Sequence, residues 1–283
     1  MAYDAEKYWA ERYSTIDITR SGHIDLPADY NKWLYQRKTE LLFQGLKAVH
    51  FKPVGASVLE IATGTGVYVE AWQKRKASRL VGIDISAAAV AELQGRFPKY
   101  QFYKRDLAKP GLVDLVGSGF DLVTAIDMLY HIVRDSDFPI ALRNIAETVK
   151  PGGLLAIHDL FLHTEQDIGY IKLRTLDTYR AALDAAGFDI IWRKPSFFFA
   201  VQPRDVSSPR TLRLMQEVWE RFTEPVIRRL PDLAGRLTYW TDKTIGAVMK
   251  EGPSFEMMIC RRRAGVDGFD DPQASTNISR GHL

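Results

Sequence analysis

The distribution of apolar and polar positions predicts an alternation of strands and helices from about residue 56 onward. Short apolar runs bounded by turn residues predict strands near 57–62, 79–84, 100–104, 120–126, 153–159 and 188–193. Segments with apolar side chains on one helical face predict helices near 66–75, 87–96, 135–148 and 175–186. Such alternation is typical of a parallel sheet covered by helices on both faces, with right-handed crossovers.

The segments before and after this alternation have different residue patterns. Residues 1–50 have a helical pattern rich in aromatic side chains. After the strand near 188–193, one helix is predicted near 208–229, with Leu212, Met215, Trp219, Phe222 and Val226 on one face. A shorter helix near 242–250 and a last strand at 255–262 follow it. The predicted units are an N-terminal helical lid (1–50), a central domain (51–202 and 254–263), a helical cap insertion (203–253) and a flexible tail (264–283).

The composition excludes several classes of protein but does not identify one. The 283 residues are 46% hydrophobic and 26% charged, with a formal net charge of +3. No apolar run reaches the roughly 18 residues of a membrane span, and the first residues have no apolar secretory core. Cys260 is the one cysteine, so no internal disulfide or thiolate metal cluster is expected and a cytoplasmic location fits best. The slight positive charge gives no basis for a nucleic-acid partner.

Two neighbouring segments carry the clearest chemical signal. LEIATGTG at 59–66 predicts a buried strand that breaks into a glycine-containing turn and then opens a helix. Gly64 and Gly66 let backbone N–H groups approach a ligand closely, and a helix N-terminus favours an anionic group. GIDIS at 82–86 predicts a second strand ending in Asp84, and a strand-end carboxylate there commonly accepts hydrogen bonds from ribose hydroxyls. Together these segments predict a nucleoside-containing cofactor.

Further segments in the same order resemble one known family. With RDL at 105–107, FDLVTAIDMLYHI at 120–132 and VKPGGLLAIHD at 149–159, the chain resembles the class I S-adenosylmethionine (SAM)-dependent methyltransferases. The resemblance covers roughly residues 40–200 and the last strand. It implies an α/β fold with a Rossmann-like, doubly wound seven-stranded sheet whose last strand is antiparallel. It also implies SAM as cofactor, a cap insertion over the cofactor end and N-terminal helices closing the other side.

The resemblance also implies roles for individual residues around the cofactor. Ala62 stands where the family has the first glycine of its G-x-G-x-G loop, and its small side chain should leave the loop usable. The resemblance implies that Glu60 organises the loop and that Ala62, Thr63, Gly64 and Gly66 lie along the methionine half of the cofactor. It implies that Asp84 binds both ribose hydroxyls and that Ile85 packs against the adenine. Asp106 with Leu107 is implied to bind at the adenine amino group, and Asp127 to lie in the turn beneath the transferred methyl.

Candidates for the catalytic base are histidines that follow the predicted strands. The methyl group of SAM is already activated, so the protein mainly aligns the reacting atoms, and an alcohol acceptor also benefits from a general base. His131 is the leading candidate because it follows the fourth strand; the alternative is that it caps the turn. His158, at the end of strand five, is the second candidate, and His163 is the third. Asp159, His158 and Asp127 match no metal-ligand spacing, so no metal is expected.

The candidate substrate and anchoring residues each have a structural alternative. Arg37 pairs with the carboxylate of the cofactor's methionine moiety, or else belongs to the solvated face of a helix. Tyr35 or the nearby Trp33 could cover the site. The substrate candidates are Tyr35, Tyr130, Arg174, Trp219 and Trp240. Arg174 could instead be a surface charge, and the tryptophans with Tyr239 could form the core of the cap rather than a platform for a sugar or a flat ring.

Missing motifs narrow the acceptor. The segment after strand four lacks the N/D-P-P-Y/F motif of base N-methylation and the Pro-Cys nucleophile of cytosine C5 enzymes, and no paired-glutamate loop of arginine methyltransferases is found. We therefore expect O-methylation of a small molecule or glycan. The sequence leaves the oligomeric state open, with a homodimer as one possibility. The alternatives are N- or C-methylation of a small metabolite and a non-catalytic SAM-binding sensor. A short-chain reductase is disfavoured because its Y-x-x-x-K pair, Tyr100 and Lys104, falls in a predicted strand.

Overall fold

The computed structural model describes residues 3–13, 15, 17–23 and 25–265. Its helices are α1 (Ala5–Arg12), α2 (Ile18–Ser21), α3 (Ala28–Ala48), α4 (Val67–Lys74), α5 (Ala87–Arg96), α6 (Leu112–Val116), α7 (Asp137–Thr148), α8 (Leu176–Ala185), α9 (Pro209–Val218), α10 (Glu224–Arg229) and α11 (Pro231–Val248). Its strands are β1 (Ser57–Ile61), β2 (Arg79–Asp84), β3 (Gln101–Lys104), β4 (Phe120–Ile126), β5 (Val149–Leu160), β6 (Gln166–Asp167), β7 (Lys172–Leu173), β8 (Phe188–Pro195) and β9 (Phe255–Arg262). A single 3₁₀ turn spans Leu129–His131, and a π-helical turn spans Trp219–Thr223.

The main sheet confirms the predicted α/β fold. Within the described residues, seven strands pair in the order β3-β2-β1-β4-β5-β9-β8. Neighbouring strands from β3 to β5 are parallel, whereas β9 runs antiparallel to both β5 and β8. The strand order reverses beside β1, so the carboxyl ends of β1 and β4 flank a crevice of the kind that binds ligands in open α/β sheets.

Helices cover both faces of this sheet, and the core consists of two apolar layers. On one face, Leu142 of α7 and Leu183 of α8 pack against β4 and β5. On the other face, Leu42 of α3 and Trp72 of α4 pack beneath β1 and β2. Strands buried on both faces explain why the sequence shows short apolar runs rather than strict alternation.

Two predicted boundaries are wrong. The helix predicted at 242–250 runs over Pro231–Val248 instead. Pro231 looks like a breaker in the sequence, but it occupies the first helical turn, where no backbone N–H is required. The strand predicted to start at 153 begins at Val149, directly after α7, and continues through the Pro-Gly-Gly segment. The small elements α6, β6 and β7 were not predicted.

The predicted single apolar face of the 208–229 helix is also wrong. Trp219 is buried as expected, but Phe222 and Val226 are 67% and 43% exposed. The π-helical turn at 219–223 contains one more residue than a regular turn and therefore rotates the following side chains relative to the preceding ones. Of the predicted flexible tail, residues 266–283 lie outside the described part of the chain.

Among the described residues, no helix combines the length and the apolar character that crossing a membrane requires.

Candidate functional site

A cavity of about 880 Å³ lies at the carboxyl ends of β1 to β4. Its floor comes from the turns that follow these strands, and its cover comes from α1, α2 and α3. The floor includes Ile61–Thr65, Ile83–Ile85, Arg105–Lys109 and Ile126–Met128 together with His131; the cover includes Tyr3–Glu6, Trp9, Tyr13, Ser21 and Tyr35. Of the predicted cofactor residues, Ala62, Thr63, Gly64, Asp84, Ile85, Asp106, Leu107 and Asp127 line this cavity.

The turn after β1 has an unusual backbone. Ala62, Gly64 and Gly66 have φ values of 56°, 51° and 82°, all in the left-handed region. Glycine adopts this region freely, whereas alanine does so at a cost. At Gly66, a Cβ would also lie 2.5 Å from the Leu93 side chain, so the start of α4 can pack closely against α5. The alanine at the first position is therefore a strained substitute for the glycine that the resemblance leads one to expect.

Asp84 closes this turn from the neighbouring strand. Its Oδ2 accepts a hydrogen bond from the Gly64 N–H at 2.8 Å, and its Oδ1 accepts one from the Ser86 N–H at 2.9 Å. Burial raises the pKa of Asp84 to about 6, against the opposing effect of these backbone hydrogen bonds. Each carboxylate oxygen has a second acceptor site, so Asp84 can hold the glycine turn and still accept a hydrogen bond from a ligand.

Glu60 lies under the turn rather than in the cavity wall. It is 1% exposed, contacts the Thr124 hydroxyl, and accepts a hydrogen bond from Trp72 Nε1 at 3.2 Å. Burial raises the pKa of Glu60 to about 8, although both hydrogen bonds act in the opposite direction. Glu60 thus ties β1 to α4 and β4 beneath the loop.

Five buried polar atoms of cavity-lining residues have no hydrogen-bond partner within the described structure. They are Tyr3 Oη, Thr63 Oγ1, Tyr68 Oη, Arg105 Nε and His131 Nδ1. A buried polar group without a partner is costly, and such groups concentrate where a ligand or water completes them. The cavity therefore presents unsatisfied donors and acceptors beside the glycine turn and after β4.

His131 ends the 3₁₀ turn that follows β4 and lines the cavity. The Trp9 ring of α1 meets it edge-on, with 5.0 Å between the ring centroids. Burial lowers the pKa of His131 to about 4, although a hydrogen bond with the Tyr170 backbone opposes this effect. The imidazole is therefore neutral at pH 7. If the ring nitrogen facing the Tyr170 carbonyl carries the proton, the unpartnered Nδ1 carries the free lone pair.

A buried charged network lies beside His131. Asp127, at φ 55°, accepts a hydrogen bond from Lys38 Nζ at 2.5 Å, and its other oxygen contacts His158 Nδ1. His158 Nε2 lies 2.8 Å from the Ser196 hydroxyl, and its ring stacks on Phe255. Burial raises the pKa of Asp127, but Lys38 and His158 outweigh it and hold the pKa below its ordinary value. Asp127 is thus a fixed carboxylate at the cavity wall.

His158 is fully buried within this network, so it does not line the cavity. Burial lowers the pKa of His158 despite the neighbouring Asp127. The adjacent Asp159 points to the other side of β5, where it accepts a hydrogen bond from the Tyr179 hydroxyl at 2.5 Å. The described residues contain no group of three or more His, Cys, Asp or Glu side chains arranged to hold a metal ion.

The N-terminal helices contact the glycine turn directly. Ser21 Oγ lies 2.8 Å from Thr65 Oγ1 and 2.9 Å from the Tyr35 hydroxyl, which links α2, the turn and α3. A Cβ on Gly64 would lie 2.9 Å from both Ser21 and the Tyr13 hydroxyl. These contacts close the cavity over the middle of the turn.

Arg12 holds the two lid helices together. Its guanidinium donates to the Gly22 carbonyl at 3.0 Å and to the Tyr8 hydroxyl at 2.8 Å, and it lies 5.0 Å from the Trp9 ring centroid. The outer side of α1 is attached to the body by an ion pair between Glu6 and Lys104. The ring of Tyr8 also stacks on Tyr170, with centroids 6.0 Å apart.

Several residues predicted for the site do not line the cavity. Arg37 donates to the Ser196 carbonyl at 3.3 Å and lies against Gly246 of α11. Arg174 is 2% exposed and pairs with Asp135. Trp219 packs with α3 and donates to the Phe199 carbonyl, whereas Trp240 is 57% exposed. The remaining ones are Tyr130, which packs on His131 and Phe255, and Trp33, which donates to Asp232.

The helices of the insertion likewise contribute no residue to the lining of the large cavity. Helix α11 packs mainly along α3, on the far side from the glycine turn. His163 pairs with Asp205 at a separate cavity of about 320 Å³ between the loops after β5 and before β9. The cover of the large cavity therefore comes from the N-terminal lid.

Sequence reasoning missed several residues of this site. Lys38, Trp9, Tyr13, Ser21 and Tyr68 contact the cavity or its network but lie outside the motifs, and Thr65 lies within LEIATGTG but was given no role. The aromatic density of residues 1–50 was the available signal for Trp9 and Tyr13. Nothing in the local sequence around Lys38 indicates that its partner is Asp127, 89 positions away.

Comparison with known proteins identifies the family to which this fold and site belong. A family model described as a methyltransferase domain matches residues 58–153. The fold of the chain is that of the class I SAM-dependent methyltransferases. This confirms the family resemblance, since the matched range contains the glycine turn, Asp84, Asp106 and the turn after β4.

Two named relatives match part of the chain. The methyltransferase GfsG from Streptomyces halstedii is 28% identical over 201 residues, which are 65% of this chain and 65% of GfsG. Erythromycin 3''-O-methyltransferase from Saccharopolyspora erythraea is 31% identical over 110 residues, 38% of this chain and 35% of that protein. The chain thus spans less than two thirds of the length of these relatives.

A solved structure shows the same fold over most of the chain. The N-methyltransferase NodS from Bradyrhizobium japonicum, in complex with S-adenosyl-L-homocysteine, matches with a TM-score of 0.54 at 16% identity. The match covers 92% of this chain and 99% of NodS. The shared fold therefore includes the N-terminal helices and the insertion as well as the central domain.

Proposed function

We propose that this protein binds SAM in the large cavity and transfers its methyl group to a hydroxyl of a small molecule or sugar, with His131 as general base. The observation that carries the proposal is the unpartnered Nδ1 of a neutral, buried imidazole at the cavity wall directly after β4. A general base must be unprotonated and within reach of the proton that it takes. The low pKa of His131 supports the first condition, and its position in the wall of the cavity supports the second.

The residues of the cavity fit SAM in their donor and acceptor chemistry. Asp84 retains acceptor sites for ribose hydroxyls, and Asp106 lines the same cavity. Thr63 Oγ1 and Tyr68 Oη are buried without partners beside the turn and would be satisfied by a polar ligand. Asp127 offers a fixed negative charge near a ligand that carries an ammonium group and a sulfonium. These are the residues that we assign to holding SAM.

When bound, SAM supplies a methyl group already activated by its positively charged sulfur. An acceptor hydroxyl would take this methyl group from the sulfur and would give its proton to Nδ1 of His131. The Lys38–Asp127–His158 network positions the turn that carries His131, because Asp127 is held from two sides. The N-terminal lid excludes water and keeps the reactants aligned.

The choice of a hydroxyl acceptor is supported by two observations. The sequence after β4 lacks the motifs of base-modifying enzymes, and one curated relative is named for O-methylation of erythromycin. Trp9, Tyr13 and Tyr35 in the cavity cover would suit a sugar or a flat ring. N- or C-methylation of a small metabolite remains the alternative acceptor chemistry.

Calorimetry and product analysis test the proposal in sequence. We expect saturable binding of SAM and of S-adenosylhomocysteine to the purified protein, and transfer of isotopically labelled methyl to a small molecule from cell extract. NMR of the labelled product distinguishes a methyl ether from an N- or C-methyl group. Failure to bind either compound would contradict the enzyme hypothesis, and binding without transfer to any acceptor would favour a sensor.

A further inference from the structure

The solvent-facing side of the insertion carries an unusual apolar stripe. Along α9, the π-helical turn and α10, Leu214, Val218, Phe222 and Val226 follow one another at four-residue spacing. They are 61%, 41%, 67% and 43% exposed. Exposed apolar residues are ordinary when scattered, but a continuous row of them marks a contact surface.

The π-helical turn keeps this row straight. In a regular α-helix, residues four apart drift around the axis because a turn contains 3.6 residues. The wider turn at Trp219–Thr223 takes up much of this drift, so Phe222 and Val226 stay in line with Leu214 and Val218. The opposite face, with Trp219 and Ile227, packs into the core.

Helix α11 also exposes its larger apolar side chains to solvent. Leu233, Leu237, Trp240 and Val248 lie at positions that share one helical face and are 48%, 58%, 57% and 79% exposed. The opposite, buried face contains the small Gly235 and Gly246 and the charged Asp242. Leu230, 54% exposed at the bend between α10 and α11, lies between the two rows in the chain. Both helices thus direct their larger apolar side chains outward.

We infer that this surface, formed by Leu214, Val218, Phe222, Val226, Leu230, Leu233, Leu237 and Trp240, is covered by a second copy of the chain. Its exposed area is on the order of 700–800 Å², above the roughly 300–600 Å² of the largest apolar patch on a typical monomer and close to the roughly 800 Å² that each partner contributes to a stable interface. A symmetric dimer pairs the patch with itself and closes the assembly.

The charges beside the stripe are self-complementary. Glu217 and Arg221 lie one turn apart along the same edge of the row formed by α9 and α10. A two-fold axis that pairs Val218 with Phe222 of the second copy runs these helices antiparallel. It then brings Glu217 of each copy near Arg221 of the other, and forms this ion pair twice.

The mixture of charges of both signs on α9 to α11 favours a protein surface over an anionic lipid surface as the occupant. Six of the seven basic residues in α9 to α11 are arginines, and Arg228 and Arg236 pair with acidic neighbours in the same helices. Arginine is enriched in protein interfaces, and binding to anionic lipid usually requires a clear excess of unpaired positive charge. This segment also carries Glu217, Glu220, Glu224 and Asp232 on its surface.

Sedimentation of the full chain tests the inference independently of the proposed activity. We expect the wild type to have twice the 32.1 kDa mass of one chain. Phe222→Glu should weaken association roughly 30-fold or more by placing a charge at the centre of the interface. Val54→Glu, at a residue that is 69% exposed elsewhere, is the matched control and should leave the dimer intact. Circular dichroism and SAM binding verify that each variant is folded.

Charge exchange provides the sharper test. Glu217→Arg places like charges opposite each other in both copies and should weaken the dimer, whereas Glu217→Arg with Arg221→Glu restores the pairs and should recover it. A wild type that stays monomeric at about 100 µM, well above the Kd of a stable dimer, would overturn the inference. So would a dimer unaffected by Phe222→Glu, or a monomer that binds vesicles of phosphatidylcholine and phosphatidylglycerol.

Discussion

At the scale of single residues, burial shifts the pKa values of two cavity groups, and each group still has at pH 7 the charge that the proposed reaction requires. Burial lowers the pKa of His131 to about 4, which leaves the imidazole neutral and able to accept a proton. Burial raises the pKa of Asp84 to about 6, which still leaves the carboxylate ionised at pH 7. The same low-polarity environment therefore keeps one group uncharged and brings the other close to titration.

Removing the imidazole of His131 should separate catalysis from cofactor binding. His131→Ala is expected to lower kcat about 100-fold, because the acceptor loses its base, while the Kd for SAM stays within about twofold. Single-turnover kinetics and calorimetry measure the two quantities. His163→Ala, at the separate cavity, is the matched control. A variant with normal kcat would return His131 to a structural role.

Asp84 should make SAM binding depend on pH. Ribose hydroxyls donate to the ionised carboxylate, so affinity is full well above the Asp84 pKa of about 6 and falls as the pH drops through that value. Asp84→Asn should weaken binding at pH 7.5 by roughly 1–3 kcal/mol and flatten this dependence. Calorimetry between pH 5 and 8 checks both effects. Asp232→Asn, on the surface of α11, should behave as wild type, and an unchanged profile for Asp84→Asn would show that the ribose binds elsewhere.

At the scale of elements, the turn between β1 and α4 combines rigidity with strain. Ala62 occupies the left-handed region, which costs a residue with a Cβ roughly 1–2 kcal/mol. Asp84 and the Ser21–Thr65 contact hold the turn in this conformation from two sides. Surrounding contacts of this kind are what allow a strained backbone to persist at a functional site.

Replacing this alanine with glycine should relieve the strain. Ala62→Gly is expected to stabilise the protein by up to about 1 kcal/mol, because the gain in the folded state exceeds the entropy that glycine adds to the unfolded chain. Chemical denaturation measures the difference. Ala88→Gly, on the exposed side of α5, should instead destabilise by about 0.5–1 kcal/mol. Equal destabilisation by both variants would contradict the assignment of strain to Ala62.

Some elements can be predicted from the local sequence alone, and others cannot. The apolar runs predict the strands of the main sheet well, because the central strands β1, β2, β4 and β5 are largely buried on both faces and bounded by turn residues. The phase of the helix at 209–229 could not be predicted, since the π-helical turn changes the residue count per turn without a clear local signal. For the same reason, Phe222 and Val226 were expected in the core and lie at the surface.

At the scale of the whole molecule, the lid and the network join segments that are distant in the chain. The glycine turn and Asp84 could be located from sequence because each motif is local. The contacts of Lys38 with Asp127, and of Trp9 with His131, could not, because they depend on how α1 and α3 pack across the sheet. The predicted anchoring role of Arg37 depended on the same packing, which directs its guanidinium to Ser196 instead.

Arg12 is the best place to loosen this lid. Arg12→Ala removes the hydrogen bonds to the Arg20 and Gly22 carbonyls that join α1 to α2, so the lid should open more often. We expect the dissociation rate of S-adenosylhomocysteine to rise about tenfold, consistent with the loss of hydrogen bonds from a charged group. Stopped-flow tryptophan fluorescence measures this rate. Arg180→Ala, on the surface of α8, is the control, and equal rates in the two variants would mean that the lid does not limit release.

The position of β9 has a consequence for how the chain is made. Strand β8 joins the main sheet through β9, and β9 is synthesised after the whole insertion. Strands β1 to β5 can assemble while the ribosome is still translating the helices, but β8 must wait for residues 255–262 to emerge. Until then, β5 has an unpaired edge that invites pairing with other chains. The late pairing of β9 with β5 is therefore the step of folding most open to aggregation. Strands β1 to β4, which carry the large cavity, can assemble before it.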